Sequence, residues 1–354
     1  MSTIVPTIDV SPFLHPSDFT DDDRKVILGP MRQACLDHGF FLITGHGVSR
    51  ELQDRVFKQS RRFFDLPLEQ KLELSEEKSW GKSHRGYQMI GGEGAQEGKG
   101  ADVKENDPEN LLTKITFIQQ GFQMGVEKKI NDPHVQRKRI LTGPNIWPSA
   151  LEPTFSTTMK EYFDTVCPIS IEIMKILALT LDVDFETCFK PYCEDSLRAV
   201  RLLHYPPMKE SEKGQLGTGA HTDFGALTLL LTDEIGGLQI LDRGEWVDVV
   251  PNSDAYGFYC QIVNIGDMFT KMTSGLYKSS VHRVINTTDK HRYSMPCFLD
   301  GALDFVVKPI IDGPIPQQEK YTVEEHMTER FESVRNRGAI DEIRERKLEV
   351  TSFA

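Results

Sequence analysis

The chain has 354 residues, of which 39% are hydrophobic and 9% aromatic, which is enough for a substantial buried core in one large or two modest domains. Its formal net charge of −12 argues against a nucleic-acid surface, because phosphate binding needs clustered Lys and Arg. There is no secretory signal pattern and no apolar stretch near the roughly 18 residues of a membrane span. We therefore expect a cytoplasmic protein that acts on a small molecule, with no nucleic-acid, membrane or obligate protein partner.

The first half of the chain carries mainly helical patterns. Residues 22–38 and 48–64 have apolar residues at roughly 3.6-residue spacing, and acidic residues stand at the start of the first. Between them, GFFLITGHGV is a short apolar run bounded by glycines, which predicts a buried strand. Residues 152–181 predict a long amphipathic helix that Pro168 must kink or divide.

A polar segment, residues 91–110, is rich in Gly, Glu and Asp and predicts a loop. Its GEGAQEGKG stretch lacks the first glycine and the Ser or Thr of a phosphate-binding P-loop, so that interpretation is rejected. A lid over an active site and a surface loop are both compatible with the composition.

After residue 195 the sequence becomes a series of short apolar segments separated by Gly, Asp and Asn. These segments are RAVRLLHY, ALTLLLT, GLQIL, EWVDVV, YGFYCQIVNI, SSVHRVI and YSMPCFL. Regular short strands of this kind are typical of an all-β barrel or sandwich. The sequence thus predicts a helical N-terminal region that leads into a β core.

Three residues of this β core are candidate metal ligands. His221 and Asp223 are two positions apart, so in a strand both side chains point to the same face, and His282 can reach them from another strand. An HxD triplet alone is weak, because most histidines are ordinary core or surface residues. Two histidines and one carboxylate on one face of a metal nevertheless form the arrangement of non-haem Fe(II) oxygenases.

A candidate anion site follows shortly after His282. Arg292 and Ser294 share one strand face, where a guanidinium and a hydroxyl can hold a carboxylate by an ion pair and a hydrogen bond. Tyr205, in RLLHYPP, offers a second hydroxyl. The three side chains predict a binding site for a carboxylate.

These motifs resemble the iron- and 2-oxoglutarate-dependent dioxygenases of the isopenicillin N synthase-like superfamily. The resemblance runs through most of the chain, in the order VPTIDVSPF, GFFLITGHGV, FFDLP, RGY, GPNIWP, RLLHYPP, GAHTDFGALTLL, GGLQI, VNIGD, KSSVHRV and RYS. It implies an α+β fold with a double-stranded β-helix (jelly roll) core and flanking N-terminal and C-terminal helices. The implied regions are a mainly helical part at 1–150, a long helix and catalytic core at 151–310, with the oxygenase domain at about 195–302, and a C-terminal helical extension at 311–354.

The resemblance also implies cofactors and roles: Fe(II), the cosubstrate 2-oxoglutarate, and O2. It assigns iron binding and catalysis to one set of residues and 2-oxoglutarate binding to another, namely His221, Asp223 and His282 for iron, and Arg292, Ser294 and Tyr205 for 2-oxoglutarate. Family members convert the cosubstrate to succinate and CO2 and remove a hydrogen from their substrate. Hydroxylation, desaturation and ring closure all begin with that step.

Four residues are candidates for substrate contact by their position beside these motifs: Phe224, Phe298, Tyr87 and Arg201. Aromatic residues at such positions are often simply part of a core. Arg201 is an even number of residues from Tyr205, so both should share a strand face, and a buried guanidinium would need an anionic partner. A surface ion pair is the alternative for Arg201.

Three functions remain open from the sequence. The favoured one is a 2-oxoglutarate-dependent dioxygenase that oxidises a small organic molecule, in natural-product or amino-acid-derived metabolism. The second is a 2-oxoglutarate-independent iron oxidase of the isopenicillin N synthase type, in which Arg292 and Ser294 bind a substrate carboxylate instead. The third is a non-catalytic metal-binding jelly roll. Cosubstrate dependence separates the first two.

Overall fold

The computed structural model describes residues 5–90, 119–207, 217–250, 261–286, 288–315 and 320–333, and the polar segment 91–110 lies outside them. The helices are α1 (Ser11–Leu14), α2 (Asp21–Asp37), α3 (Arg50–Phe64), α4 (Leu68–Leu72), α5 (Pro133–Gln136), α6 (Thr154–Thr180), α7 (Phe185–Cys188), α8 (Lys190–Cys193) and α9 (Asp267–Met272). Residues 323–333 are also helical. None of the described helices is long and apolar enough to cross a membrane.

The strands are β1 (Thr7–Asp9), β2 (Phe40–Thr44), β3 (Gly86–Ile90), β4 (Gln119–Gly125), β5 (Leu197–Tyr205), β6 (Thr218–His221), β7 (Leu227–Thr232), β8 (Leu238–Asp242), β9 (Glu245–Asp248), β10 (Gln261–Ile265), β11 (His282–Val284), β12 (Arg292–Gly301), β13 (Val306–Val307) and β14 (Tyr321–Thr322). Each apolar segment predicted as a strand after residue 195 contains one of them. The strand predicted from GFFLITGHGV is β2.

The three long helices were predicted at nearly their observed positions. Thr20 and Asp23 form a capping box at the start of α2, in which the Thr20 backbone N–H donates to Asp23 Oδ2 at 2.8 Å. Of the two outcomes expected at Pro168, a kink or a division, division does not occur, because α6 continues through this residue as a single helix. Proline removes one backbone N–H, and the neighbours Cys167 and Ile169 are buried in the core, so packing holds the helix together there.

The strands form two main sheets. The larger has eight strands in the order β1-β2-β10-β7-β12-β5-β4-β3, and the smaller has four in the order β6-β11-β8-β9. Only the β1–β2 pair is parallel in these two sheets. The N-terminal half is therefore less helical than predicted, since it contributes four strands. The sequences of β3 and β4, GYQMI and QQGFQMG, give only a weak strand signal. Apolar and polar residues alternate in them over three positions, Tyr87–Met89 and Phe122–Met124, and a strand prediction needs about four to eight.

The eight-stranded sheet has two very different faces. One packs against α2, α3 and α6 and forms the main apolar core, which we call the helix-side core. The other faces the small sheet across a second, smaller cluster, which we call the barrel interior. Its buried apolar side chains are Val5, Phe40, Leu42, Leu203, Tyr205, Leu230, Leu238, Ile240, Val249, Ile262 and Val284. Two facing sheets with helices around them are the predicted α+β fold with a double-stranded β-helix core.

Candidate active site

The three predicted metal ligands come together at one end of the barrel interior. His221 is the last residue of β6 and His282 the first of β11, and the two are direct partners across these neighbouring strands. Asp223 lies in the connection from β6 to β7. The Nε2 atoms of His221 and His282 are each 3.8 Å from Asp223 Oδ1, and one ligand atom from each residue lies within 4.8 Å of the others.

Backbone carbonyls orient both imidazoles. His221 Nδ1 lies 2.8 Å from the carbonyl oxygen of Gly219, and His282 Nδ1 lies 3.2 Å from that of Ser280. A carbonyl oxygen only accepts, so each Nδ1 carries the proton and each Nε2 presents a lone pair. This is the tautomer that a histidine needs to bind a metal through Nε2.

Two side chains of the large sheet hold the carboxylate of Asp223. Thr228 Oγ1 and Asn264 Nδ2 donate hydrogen bonds to Oδ2 at 2.5 and 2.7 Å, which leaves Oδ1 turned towards the imidazoles. Burial alone would raise the pKa of Asp223, but the nearby His282 and His221 and the two hydrogen bonds hold it below its ordinary value. Asp223 is therefore ionised at neutral pH.

His282 is neutral at the same pH. Burial, together with the neighbouring His221, lowers the pKa of His282 to about 4. Phe40 packs edge-on against its ring with the centroids 5.4 Å apart, which helps to fix the ring orientation. A carboxylate and oriented neutral imidazoles are the donor set that binds Fe(II) on one face, so these residues fit that metal.

The predicted anion site lies on β12, facing the barrel interior. The Arg292 side chain is fully buried and donates to Ser294 Oγ and Thr232 Oγ1, both at 3.2 Å. Its guanidinium carbon stands 4.7 Å from the centre of the Tyr205 ring. Among the described residues, no carboxylate oxygen lies within 4.0 Å of the Arg292 guanidinium nitrogens, the distance that defines an ion pair. A buried guanidinium that lacks an anionic partner is a favourable binding site for an anion.

Tyr205 belongs to the same site through its hydroxyl group. The oxygen accepts a hydrogen bond from Gln119 Nε2 at 3.1 Å and contacts Thr218 Oγ1 at 3.2 Å. Thr218 in turn donates to Gln119 Oε1 at 3.0 Å. The structure thus brings all three predicted carboxylate-binding residues together and adds a fixed polar network behind Tyr205.

Two of the predicted substrate residues lie beside the metal ligands. Phe298 is half-buried and pairs across the sheet with Thr228, which holds the metal-binding carboxylate. Phe224 directly follows Asp223, and its ring is covered by two residues of the helical segment 323–333. The guanidinium of Arg330 lies 4.4 Å from the ring centre, and the Phe331 ring lies 6.2 Å away.

The other two predicted substrate residues have partners within the protein. Tyr87 packs in the helix-side core, on the opposite face of the sheet, and its hydroxyl donates to Gln120 Oε1 at 3.0 Å. The structure does not bring Tyr87 to the metal ligands. Arg201 does face the barrel interior with Tyr205, as predicted, but its guanidinium donates to the amide oxygen of Gln123 at 2.8 and 3.1 Å.

The sequence reasoning missed the residues that support the ligands. Thr228, Thr232 and Asn264 all interrupt apolar strands at inward-facing positions, and that polar exception to a period-2 pattern was a usable signal. Asp267, the last residue of the VNIGD motif, was given no role of its own. Its carboxylate accepts a hydrogen bond from Thr222 Oγ1 at 3.1 Å and lies 3.6 Å from Arg330, so it ties the metal-ligand loop to the C-terminal helical segment.

Comparison with known protein families gives two matches along the chain. Residues 5–150 match the family described as the N-terminal region of a non-haem dioxygenase in morphine synthesis. Residues 194–301 match the 2OG-Fe(II) oxygenase superfamily.

Similar full-length proteins come from fungi. A 2-oxoglutarate-Fe(II) type oxidoreductase, hxnY, of Emericella nidulans is 38% identical over 334 residues, which cover 91% of this chain and 88% of that protein. The clavatol oxidase claD of Penicillium crustosum is 39% identical over 348 residues, covering 93% and 96%. The 2-oxoglutarate-dependent dioxygenase citB of Monascus ruber is 36% identical over 345 residues, covering 95% and 97%.

Solved structures share the fold. A 2OG-Fe(II) oxygenase family protein from Caulobacter crescentus superposes with a TM-score of 0.75 at 25% identity, over 94% of this chain and 100% of that chain. Neurospora crassa T7H, in a complex with alpha-KG and thymine, superposes with a TM-score of 0.73 at 24% identity, over 96% of this chain and 97% of its own.

Proposed function

This chain belongs to the 2-oxoglutarate- and Fe(II)-dependent oxygenases, and on that premise we propose that it oxidises a small organic molecule at a centre formed by His221, Asp223 and His282. As a member of this family it is an oxidoreductase that uses Fe(II), 2-oxoglutarate and O2. When bound, iron and 2-oxoglutarate supply the oxidant that removes a hydrogen from the substrate, and the cosubstrate leaves as succinate and CO2.

The observation that carries the proposal is the buried guanidinium of Arg292, which has no carboxylate partner among the described residues. It lies in the barrel interior beside the Ser294 hydroxyl, where a dicarboxylate that also reaches the metal ligands would place its far end. Arg292 and Ser294 bind that carboxylate. The guanidinium of Arg292 lies over the face of the Tyr205 ring, and this contact holds it in place.

The rest of the interior keeps water away from the reacting atoms. Leu203, Leu230 and Ile262 lie on the same face as the anion site and are at most 9% exposed. A dry surrounding strengthens the ion pair to Arg292 and protects a reactive centre from side reactions.

The proposed substrate is a small natural product. A relative 39% identical to this chain is named a clavatol oxidase, and the others compared are 2-oxoglutarate-Fe(II) oxidoreductases or dioxygenases, which supports a small organic substrate. Phe224 and Phe298, beside the metal ligands, are proposed to contact it. Arg201 is a weaker candidate, because Gln123 already accepts from its guanidinium.

The test is an anaerobic titration of the Fe(II)-loaded protein with 2-oxoglutarate, followed by the weak visible band that chelation of iron by the cosubstrate produces. We expect a saturable band in the wild type. Arg292→Ala should weaken 2-oxoglutarate binding by about tenfold to a thousandfold, because it removes charged hydrogen bonds worth roughly 1.5–3 kcal/mol each.

Arg283→Ala is the matched control, since it removes the same charge from a side chain that donates to Gln239 and stacks on Trp246 instead. It should leave the titration unchanged. A wild-type protein that binds iron but shows no band with 2-oxoglutarate would contradict the proposal and favour the oxidase that needs no cosubstrate. An unchanged band in Arg292→Ala would remove the role of Arg292.

A further inference from the structure

Asp300 is a buried carboxylate that has no partner among the described residues. It lies on β12 two residues after Phe298, where the pairing with β5 shifts register between Leu299 and Gly301. The charges that act on it include those of Asp223 and Arg201, which belong to the barrel interior. Asp300 is only 5% exposed, and within the described part of the chain no group donates a hydrogen bond to it or forms an ion pair with it. Buried carboxylates are nearly always paired, so Asp300 needs an explanation.

The position of Asp300 is close to the metal ligands. Its Oδ1 atom lies against Gly225, two residues after Asp223, where a Cβ atom built on the glycine would be only 2.4 Å from the oxygen. The HTDFG motif thus needs glycine at its last position, because the backbone carbonyl oxygen of Leu299, 2.7 Å from that Cβ position, fills the space together with the Asp300 side chain. The carboxylate is held beside the loop that carries the metal ligands, and it is not a distant part of the core.

The charges around Asp300 come from residues that do not contact it. Burial and the negative charge of Asp223 raise the pKa of Asp300 to about 7, while the positive charges of Arg201 and Arg85 act in the opposite direction. Arg85 is fully buried and donates to the carbonyl oxygen of Leu141 at 2.8 Å, so it is held in place by another group. Among the described residues, neither guanidinium forms an ion pair with Asp300 and no group donates a hydrogen bond to its carboxylate.

We propose that Asp300 is a specificity-determining residue, whose carboxylate accepts a hydrogen bond from a hydroxyl group on a ring of the substrate. The inference rests on the proposed function, because it names the substrate class of the same active site. A protonated amine fits less well, since Arg85 and Arg201 would repel it. Phe298, half-buried two residues before Asp300 on β12, favours a flat aromatic ring beside the carboxylate.

The test uses matched probes that differ only in the hydrogen-bond donor, 4-hydroxyacetophenone against 4-methoxyacetophenone and resorcinol against 1,3-dimethoxybenzene. Binding is measured by isothermal titration to the protein loaded with Fe(II) and 2-oxoglutarate under anaerobic conditions. We expect the wild type to bind each phenol at least about tenfold more tightly than its ether, as one buried hydrogen bond to a charged group allows.

Three variants separate this role from a structural one. Asp300→Ala should abolish the preference for phenols, whereas Asp300→Asn, which keeps an accepting oxygen and the shape of the side chain, should retain part of it. Asp312→Ala removes an exposed carboxylate and should change nothing. All three should still give the visible 2-oxoglutarate band, since none touches the metal ligands or Arg292.

The outcomes distinguish the two proposals. No 2-oxoglutarate band in the wild type would overturn the proposed function itself. If the band is normal, three results would overturn the role of Asp300 and leave the proposed function standing. The wild type could bind phenol and ether equally, it could bind no phenol at all, or the preference for phenol could survive in Asp300→Ala.

Discussion

The two faces of β12 have different roles, since one carries the candidate binding residues and the other packs in the apolar core. Towards the barrel interior β12 presents Arg292, Ser294, the buried Pro296 and the half-buried Phe298, and the buried Asp300 follows at a shift in the pairing register. The residues that alternate with them pack in the helix-side core, and they are Tyr293, Met295, Cys297 and Leu299. The same ten-residue strand therefore carries the anion site on one side and much of the fold's apolar contact on the other.

The same division appears in two neighbouring strands of the large sheet. On β7, Thr228 and Thr232 face the barrel interior, as Leu230 does, while Leu229 and Leu231 face the helices. On β10, Asn264 supports the metal carboxylate, while Val263 is in the helix-side core. A side chain's position in the alternation should thus decide whether its loss affects ligand binding or stability, and paired substitutions can test this.

Removal of the metal carboxylate should give the largest loss of binding. Asp223→Ala deletes one of three ligands, so Fe(II) affinity should fall by more than the tenfold to hundredfold that is typical when only a supporting residue is lost. The cost to stability should be small, about 1–3 kcal/mol, because only Thr228 and Asn264 lose an acceptor. Competition with a chelator measures the affinity, and urea unfolding of the metal-free protein measures the stability. Unchanged iron affinity would show that Asp223 is not a ligand.

A substitution on the other face should reverse that pattern. Leu299→Ala removes a fully buried side chain from the helix-side core, and we expect a loss of about 2–5 kcal/mol in the free energy of unfolding. The iron affinity of the folded protein should not change. Both quantities are measured by the same two assays. If Leu299→Ala lost much of its iron affinity at normal stability, the separation of binding on one face from stability on the other would be contradicted.

The sequence was sufficient to predict which side chains come together at the candidate metal site, because their signal is local. The spacing of His221 and Asp223 follows from strand geometry, and Arg292 with Ser294 follows from the same rule. The order of motifs then identified the fold. These features needed no knowledge of which strands are neighbours.

The parts that were missed depend on contacts between distant segments. Nothing in GYQMI or QQGFQMG shows that β3 and β4 extend the large sheet, since β4 joins it by pairing with β5, which lies far along the chain, and β3 pairs with β4. The missing partner of Asp300 and the covering of Phe224 by Arg330 are likewise properties of the folded chain. Tyr87 stands beside a recognisable motif, yet the register of β3 with β4 turns its side chain away from the interior.

The smallest expected effect comes from a matched pair on β10. Asn264→Ala removes one of the two hydrogen bonds that fix Asp223, while Thr228 still donates to the same oxygen. We therefore expect Fe(II) affinity to fall by about tenfold to a hundredfold, less than in Asp223→Ala.

The residue before Asn264, Val263, is fully buried on the opposite face of β10. Val263→Ala should lower the free energy of unfolding by roughly 1.5–3 kcal/mol and leave iron affinity unchanged. Chelator competition and urea unfolding on both variants would show whether two adjacent residues separate binding from stability. If both variants lost iron affinity equally, the metal site would depend on the whole strand, and the alternation of its side chains would not explain the function.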